Sequence, residues 1–382
     1  KLKICIVHER FNVAGGVARV ATELANLFDK NGHEVSLIDF SGKNEFYYTI
    51  EKGIEYPSVI KERYFRIKLL KSLFYLKHIV TRNPINVLNL YKVQIEELIG
   101  FLKENKHDIL ILCQGLLTSF IPRIKQDLPK IKIVAWQHSE YDTYIKIYYK
   151  KFLNYYLRGL ELADLIVCLT KDDQQKFKKF NKNVCFIYNP LTIKNVYNKK
   201  SKLDEKNIIY VGRLLMKPKG LDYLIEIGNK LKNDDWKILV AGDGPDKKKF
   251  INLIKKNKLE NKIILKGVLK NEELENFYLS GSIFISTSRW EGFGLVITEA
   301  MNFGLPIVSF ENTGPKEILK NGDYGILVKK NDINEFIKKL NVLMNDPQKR
   351  FYYQQKSLER VKDFDIKIIG KEWEKTLISL FN

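Results

Sequence analysis

Apolar residues in this chain fall into short continuous runs separated by stretches with helical spacing. Ile4 to His8 is such a run, Phe11-Asn12-Val13-Ala14-Gly15-Gly16 reads as a turn, and Val17 to Asn31 puts Ala18, Ala21, Leu24, Ala25 and Phe28 on one helical face before Gly32 ends it. Glu34 to Phe40, Ile109 to Cys113, Ile131 to Trp136, Leu165 to Leu169 and Val184 to Ile187 are further short runs. Strands alternating with helices predict a doubly wound parallel sheet.

The pattern stops near Asn189-Pro190, and a polar, lysine-rich passage follows to Asp204. The expected boundary lies there, between a domain of residues 1–190 and a second of residues 191–365. The second repeats the alternation, with strands at Asn207–Val211, Trp236–Ala241, Lys262–Lys266, Ile283–Ser286, Pro306–Phe310 and Gly325–Val328. Helical patterns cover Leu221–Leu231, Asp246–Lys256, Glu272–Tyr278 and Leu295–Phe303. The amphipathic stretch from Ile366 to Phe381 is expected to pack back, so 366–382 is placed with the first domain. Two α/β domains of this kind are expected to face a central cleft, with ligands held at the carboxyl ends of their strands.

A length of 382 residues and a hydrophobic content of 45% suit two globular domains. No apolar run reaches the roughly 18 residues a spanning helix needs. No basic, apolar, small-residue succession opens the chain, so no secretory leader is expected. Cys5, Cys113, Cys168 and Cys185 sit in or beside apolar runs, without metal-ligand spacing, and read as reduced core thiols of a cytoplasmic protein.

The formal net charge of +20 fits a lysine-rich composition, an anionic substrate, an anionic membrane surface or nucleic acid. Residues 61–78 and 144–158 mix cations with aromatics, as basic helices lying on lipid do, although ordinary surface helices also fit. No nucleic-acid-binding motif accompanies the charge, so no nucleic-acid partner is expected. A location in the cytoplasm, peripheral on the inner face of the membrane, follows as an expectation.

The densest chemistry lies at Arg289-Trp290-Glu291-Gly292-Phe293-Gly294-Leu295-Val296-Ile297-Thr298-Glu299. A strand, a small-residue turn and a helix start present backbone N–H groups to an anion. Glu291 and Glu299 cannot attract a phosphate but accept from sugar hydroxyls, so the expected ligand has phosphate at its centre and polyols on either side, as a nucleotide sugar does. Gly212-Arg213 ends a strand, and Lys217-Pro218-Lys219-Gly220 follows in the turn. Two cations there suit a departing pyrophosphate. Gly15-Gly16 fits either a plain turn or a close approach to phosphate. His138, after the strand ending at Trp136, would face the cleft as a hydrogen-bond donor or serve structure. Ala241-Gly242-Asp243-Gly244-Pro245 reads as a shaping loop and Thr313-Gly314-Pro315 as a helix start. Asp363-Phe364-Asp365 has metal-site spacing but stands apart from these elements, so no metal is expected.

The order of Gly-Gly, strand-end His, Gly-Arg with Lys-Gly, and two glutamates around Gly-Phe-Gly resembles the family 4 retaining glycosyltransferases of the GT-B fold, most strongly from Ile208 to Val328. The resemblance implies two Rossmann-like domains, a nucleotide-sugar donor held mainly by the second and a glycan acceptor held mainly by the first. It implies Arg213 and Lys219 on the diphosphate, Glu299 on the ribose and Glu291 on the transferred sugar. Gly292, Phe293, Gly294 and Leu295 would line the donor, with Gly16 near the phosphates and His138 near the reacting centre. The turn between Arg213 and Lys219 is one residue longer than the family's, and Lys219 is preferred over Lys217 because it precedes Gly220. Retention, and UDP as the nucleotide with GDP left open, are expectations from this likeness; independence from metal or other cofactor is expected because fixed cations stand where a metal would act, and a lipid-linked acceptor in bacterial surface polysaccharide synthesis because the chain is basic and aromatic-rich. A nucleotide-sugar epimerase, a sugar phosphorylase, a nucleic-acid binder and a protein-directed transferase are the alternatives.

Overall fold

The computed structural model describes residues 1–231 and 235–382. The chain forms two compact units, Lys1–Pro190 with Ile366–Asn382, and Leu191–Asp365.

In the first unit, β1 (Lys3–His8), β2 (Glu34–Asp39), β3 (Ile109–Cys113), β4 (Lys132–Trp136), β5 (Leu165–Cys168) and β6 (Val184–Phe186) form a parallel sheet in the order β2-β1-β3-β4-β5-β6. The strands are almost wholly apolar because helices cover both faces; Ile4, Cys5, Ile6 and Val7 are fully buried. α1 (Gly16–Lys30) buries the alanine-rich stripe expected from its spacing. α2 (Tyr64–Thr81) has no buried residue, and α3 (Lys92–Asn105), which periodicity had not singled out, buries Ile95, Leu98, Ile99 and Leu102. The tyrosine-rich segment 144–158 divides its side chains between core and surface. Tyr144, Tyr149 and, on α4 (Leu153–Leu162), Tyr156 pack ring on ring inside the core, with Tyr144 and Tyr149 stacked at 4.9 Å. Their hydroxyls find partners there, Tyr144 accepting from the His138 and Ser139 N–H groups and Tyr149 from that of Gly115. These three rings serve the core, while Ile147 and Tyr148 of the same segment stay about half exposed.

In the second unit, β7 (Asn207–Val211), β8 (Lys237–Ala241), β9 (Ile263–Gly267), β10 (Ile283–Ser286), β11 (Ile307–Phe310) and β12 (Ile326–Val328) are ordered β12-β11-β10-β7-β8-β9, again all parallel. α5 (Leu221–Lys230) and α6 (Leu295–Asn302) follow β7 and β10. α7 (Ile333–Asn345) and α8 (Pro347–Arg360) lie beyond the stretches assigned from sequence; both start on an aspartate side-chain cap. The closing helix, α9 (Ile366–Ile378), belongs to the first unit. Gly370 lets it lie against α1, where any Cβ would stand 1.9 Å from Leu27 Cδ2, and the Trp373 ring meets Trp136 at 4.8 Å.

Each sheet changes strand direction of addition once. The switch falls between β1 and β3 in the first unit and between β7 and β10 in the second. Ligands of open α/β sheets bind outside the carboxyl ends of the strands at such points.

Candidate active site

At the switch point of the second sheet, the turns after β7 and β10 converge. Gly220 ends the short helix Met216–Lys219 with φ +62°, and an added Cβ would stand 2.1 Å from the Thr287 carbonyl oxygen. Only glycine allows the β7 turn to close so tightly on the β10 strand end. Thr287 Oγ1 donates to the Lys219 carbonyl at 3.0 Å, tying the turns together again. The Lys219 ammonium is thereby brought onto Glu291 Oε2, with which it forms an ion pair, and the Ser288 hydroxyl reaches the same oxygen at 3.2 Å.

The loop that carries Glu291 is fixed on three sides. Arg289 forms a two-pronged pair with Asp222 at 2.7 and 2.5 Å and lies 3.9 Å over the Tyr223 ring. The Asn312 side-chain amide donates to the Ser288 carbonyl at 2.7 Å. The Gly314 N–H donates to the Glu291 carbonyl, and a Cβ on Gly314 would lie 2.2 Å from the Phe293 carbonyl oxygen. Arg289, Ser288 and Asn312 were not singled out from sequence. Arg289 opens the motif, but its role depends on Asp222, 67 positions earlier.

Gly294 caps α6 with φ +104°, so the first-turn N–H groups at Leu295 lack intrahelical acceptors. Phe293 is buried against Phe364, which leaves its backbone rather than its ring toward the turn. Glu299 is also buried, accepting from Tyr278 at 2.8 Å and Thr192 at 3.2 Å. Arg213 is exposed just after β7. Lys217 is exposed as well, and it is its carbonyl that is engaged, by Arg289. Asp363 of the Asp-Phe-Asp run pairs with Arg360 and Lys320. Thus Lys219, Glu291 and the Gly292–Leu295 turn share one site, with Arg213 at the end of β7 and Glu299 on the helix that leaves it.

In the first unit, Gly15 has open space around its Cα, and its N–H donates to the Tyr48 hydroxyl at 3.2 Å; Gly16 starts α1. The His138 ring lies 4.2 Å from that of Trp136, and neither ring nitrogen has a hydrogen-bond partner. Burial, and next the neighbouring His8, hold its pKa well below the ordinary histidine value. His8 is itself pushed down to about 4 by burial. At neutral pH both rings are uncharged, able to donate or accept a proton-mediated contact but not to supply positive charge.

Known proteins place this arrangement. A family model described as Glycosyltransferase Family 4 matches residues 14–194, and one described as Glycosyl transferases group 1 matches residues 193–360. An uncharacterized glycosyltransferase of Haemophilus influenzae is 31% identical over 374 residues, covering 94% of this chain and 96% of the relative. A Campylobacter jejuni α-1,4-N-acetyl-D-galactosaminyltransferase, named for a diphospho-undecaprenol-linked saccharide, is 26% identical and covers 100% and 99% of the two chains. Among solved structures, Anabaena HepE in complex with UDP superimposes with a TM-score of 0.72 at 18% identity, covering 99% of this chain and 100% of its own. With two parallel six-stranded sheets, a basic turn at one switch point and these matches along its length, the chain belongs to the family 4 glycosyltransferases of the GT-B type.

Proposed function

We propose that this glycosyltransferase moves a hexose or N-acetylhexosamine, with retention of configuration, from a UDP-sugar to a glycan acceptor carried on a lipid in bacterial surface polysaccharide synthesis. The observation that carries the donor half is the convergence of Lys219, Glu291 and the Gly294 helix start at one switch point. Lys219 and Arg213 meet the charge that builds on the diphosphate as the bond to the sugar C1 breaks, while the acceptor hydroxyl oxygen bonds to C1 and its proton passes to the departing diphosphate oxygen. These fixed cations do so without a divalent ion. Glu291 accepts from hydroxyls of the transferred sugar, Glu299 from the ribose, and His138, neutral and unpartnered, hydrogen-bonds near the reacting centre. The solved relative with UDP supports that nucleotide, and the Campylobacter relative's name supports a lipid diphosphate acceptor.

The lipid half also rests on α2. Phe65, Leu69, Leu73, Leu76 and Val80 recur on one face of it, each more than half exposed, while Arg66 and Lys77 stand beside that stripe. No helix among the described residues is long and apolar enough to cross a membrane, so the reading is a helix lying on the surface. A thermal-shift screen of UDP- and GDP-sugars, followed by hydrolysis and product anomer analysis by NMR with and without EDTA, tests the donor reading. A UDP-sugar should raise the melting temperature and give an unchanged anomer with EDTA present; no shift by any nucleotide sugar would sink the proposal.

A further inference from the structure

Lys219 is the last residue of the short helix Met216–Lys219, and α5 begins at Leu221. Its ammonium, on a flexible stem, therefore stands at a corner between two helix ends. Where that ammonium rests depends on how firmly the corner is held.

Arg289 holds both sides of it. The Arg289 N–H donates to the Pro218 carbonyl at 2.9 Å, and Nη1 donates to the Lys217 carbonyl at 3.1 Å. The Thr287 hydroxyl donates to the Lys219 carbonyl and the Gly220 N–H to that of Met216. All four carbonyls of the short helix are thus satisfied, three of them from the loop after β10. Beyond the corner, the guanidinium grips both oxygens of Asp222, in the first turn of α5, and rests over the Tyr223 ring. The Tyr223 hydroxyl in turn donates to Asn331 Oδ1. The charge of Arg289 is neutralised by Asp222 and not offered to a ligand. Two positions further along the same loop, Glu291 meets the Lys219 ammonium.

We infer that Arg289 is a positioning residue for Lys219: it clamps the end of one helix to the start of the next, and so sets where the ammonium meets the donor's diphosphate. The inference rests on the donor reading above, in which Lys219 faces the leaving group. A guanidinium suits the task and an ammonium does not, because only the planar fork takes both Asp222 oxygens, a main-chain carbonyl and a ring face at once. A group displaced by about 1 Å from its working place loses much of its effect on the transition state.

Calorimetric titration of UDP into the full chain tests it, with uridine, which has no phosphate, followed by saturation-transfer NMR. Arg289→Lys and Asp222→Asn should each weaken UDP on the order of ten-fold, the worth of one charge-assisted contact, and leave uridine unchanged. The sign for Asp222→Asn is diagnostic. Removing a negative charge beside an anion site would tighten UDP if charge alone mattered, whereas loss of the clamp weakens it. In a Lys219→Met background neither change should weaken UDP further. Circular dichroism checks each fold, and Asp222→Asn, at a side chain 45% exposed, carries the test if Arg289→Lys unfolds. UDP binding undiminished in Arg289→Lys, tightened in Asp222→Asn, or weakened equally with and without Lys219 would overturn the inference. So would a loss of uridine in step with UDP, which would mean that the donor pocket itself had collapsed. If UDP fails to bind the wild type, or binds Lys219→Met as tightly, the donor reading falls, and the inference with it.

Discussion

The Lys219 ammonium is shared between Glu291 and any anion that enters the turn, so its removal has two separable consequences. Lys219→Met strands a part-buried carboxylate, which costs about 1–3 kcal/mol. Adding Glu291→Gln should recover most of the lost melting temperature, because no uncompensated charge remains. Turnover of the donor should behave otherwise: about 100-fold lower in Lys219→Met and no better in the double variant, since the leaving group still lacks its cation. A double variant that regains turnover would show the pair to be structural only. Arg213→Ala, at an exposed position, should lower turnover with the melting temperature unchanged. The histidines carry a prediction of opposite kind. His8, His107 and His138 all have depressed pKa values, chiefly from burial, His8 and His107 to about 4. The unfolded chain therefore binds protons that the folded chain refuses between about pH 6.5 and 4, and stability must fall as pH drops through that window. Their ring signals in NMR should not titrate between pH 7 and 5.5, while the melting temperature declines. At this scale the motif residues were legible because Gly-Lys and Glu spacing carries its own chemistry. Ser288, Asn312 and the Arg289–Asp222 pair were not, because each works through a partner that only the folded chain brings near.

Among the elements, the strands were the most legible, since a strand covered on both faces must be apolar throughout and ends where polarity returns. Ile109–Cys113, Asn207–Val211 and Ile283–Ser286 fall on the residues expected, and the others shift by about a residue at either end. The helices outside the alternating motif were harder. α8 is mostly polar, and its buried residues include Arg350 and Arg360, whose guanidinium groups bond to main-chain carbonyls of Leu343, Met344 and Ile318. No hydrophobic period announces such a helix. The π-helical turn at Tyr144–Tyr148 was not legible either: it buries Tyr144 and leaves Tyr148 about half exposed, a division that no regular helical spacing gives. Among the turns, the one at Gly220 makes a sharp demand. Gly220→Ala adds a Cβ into the Thr287 carbonyl at a left-handed backbone angle, so the β7 and β10 turns must part. UDP affinity should fall well before global stability does, read by comparing calorimetric titration with the melting curve. Equal UDP binding by this variant would mean that the tight closure does not shape the donor site.

For the whole molecule, charge and shape act together on one question, that of where it works. An excess of 20 positive charges draws the protein toward anionic lipid over distances set by screening, about 10 Å at 0.1 M salt and less than half of that at 0.5 M. Charge alone gives loose binding that any salt-sensitive polycation would show. The α2 stripe adds a term that salt does not screen, because Phe65, Leu69 and Leu73 would leave water for the interface. If each contributes roughly 1 kcal/mol, less than full burial of such side chains gives, the three together are worth on the order of a hundred-fold in partitioning. Flotation with phosphatidylglycerol and with phosphatidylcholine vesicles, at 0.1 M and 0.5 M salt, separates the terms. The wild type should float with the anionic vesicles at low salt and keep a residual fraction at high salt. Changing Phe65, Leu69 and Leu73 together to serine should abolish that residue and leave UDP binding intact, since α2 belongs to the unit without the Lys219–Glu291 pair. Full loss of the wild type at 0.5 M, with the triple variant indistinguishable from it at 0.1 M, would reduce the association to charge and remove the helix from the account.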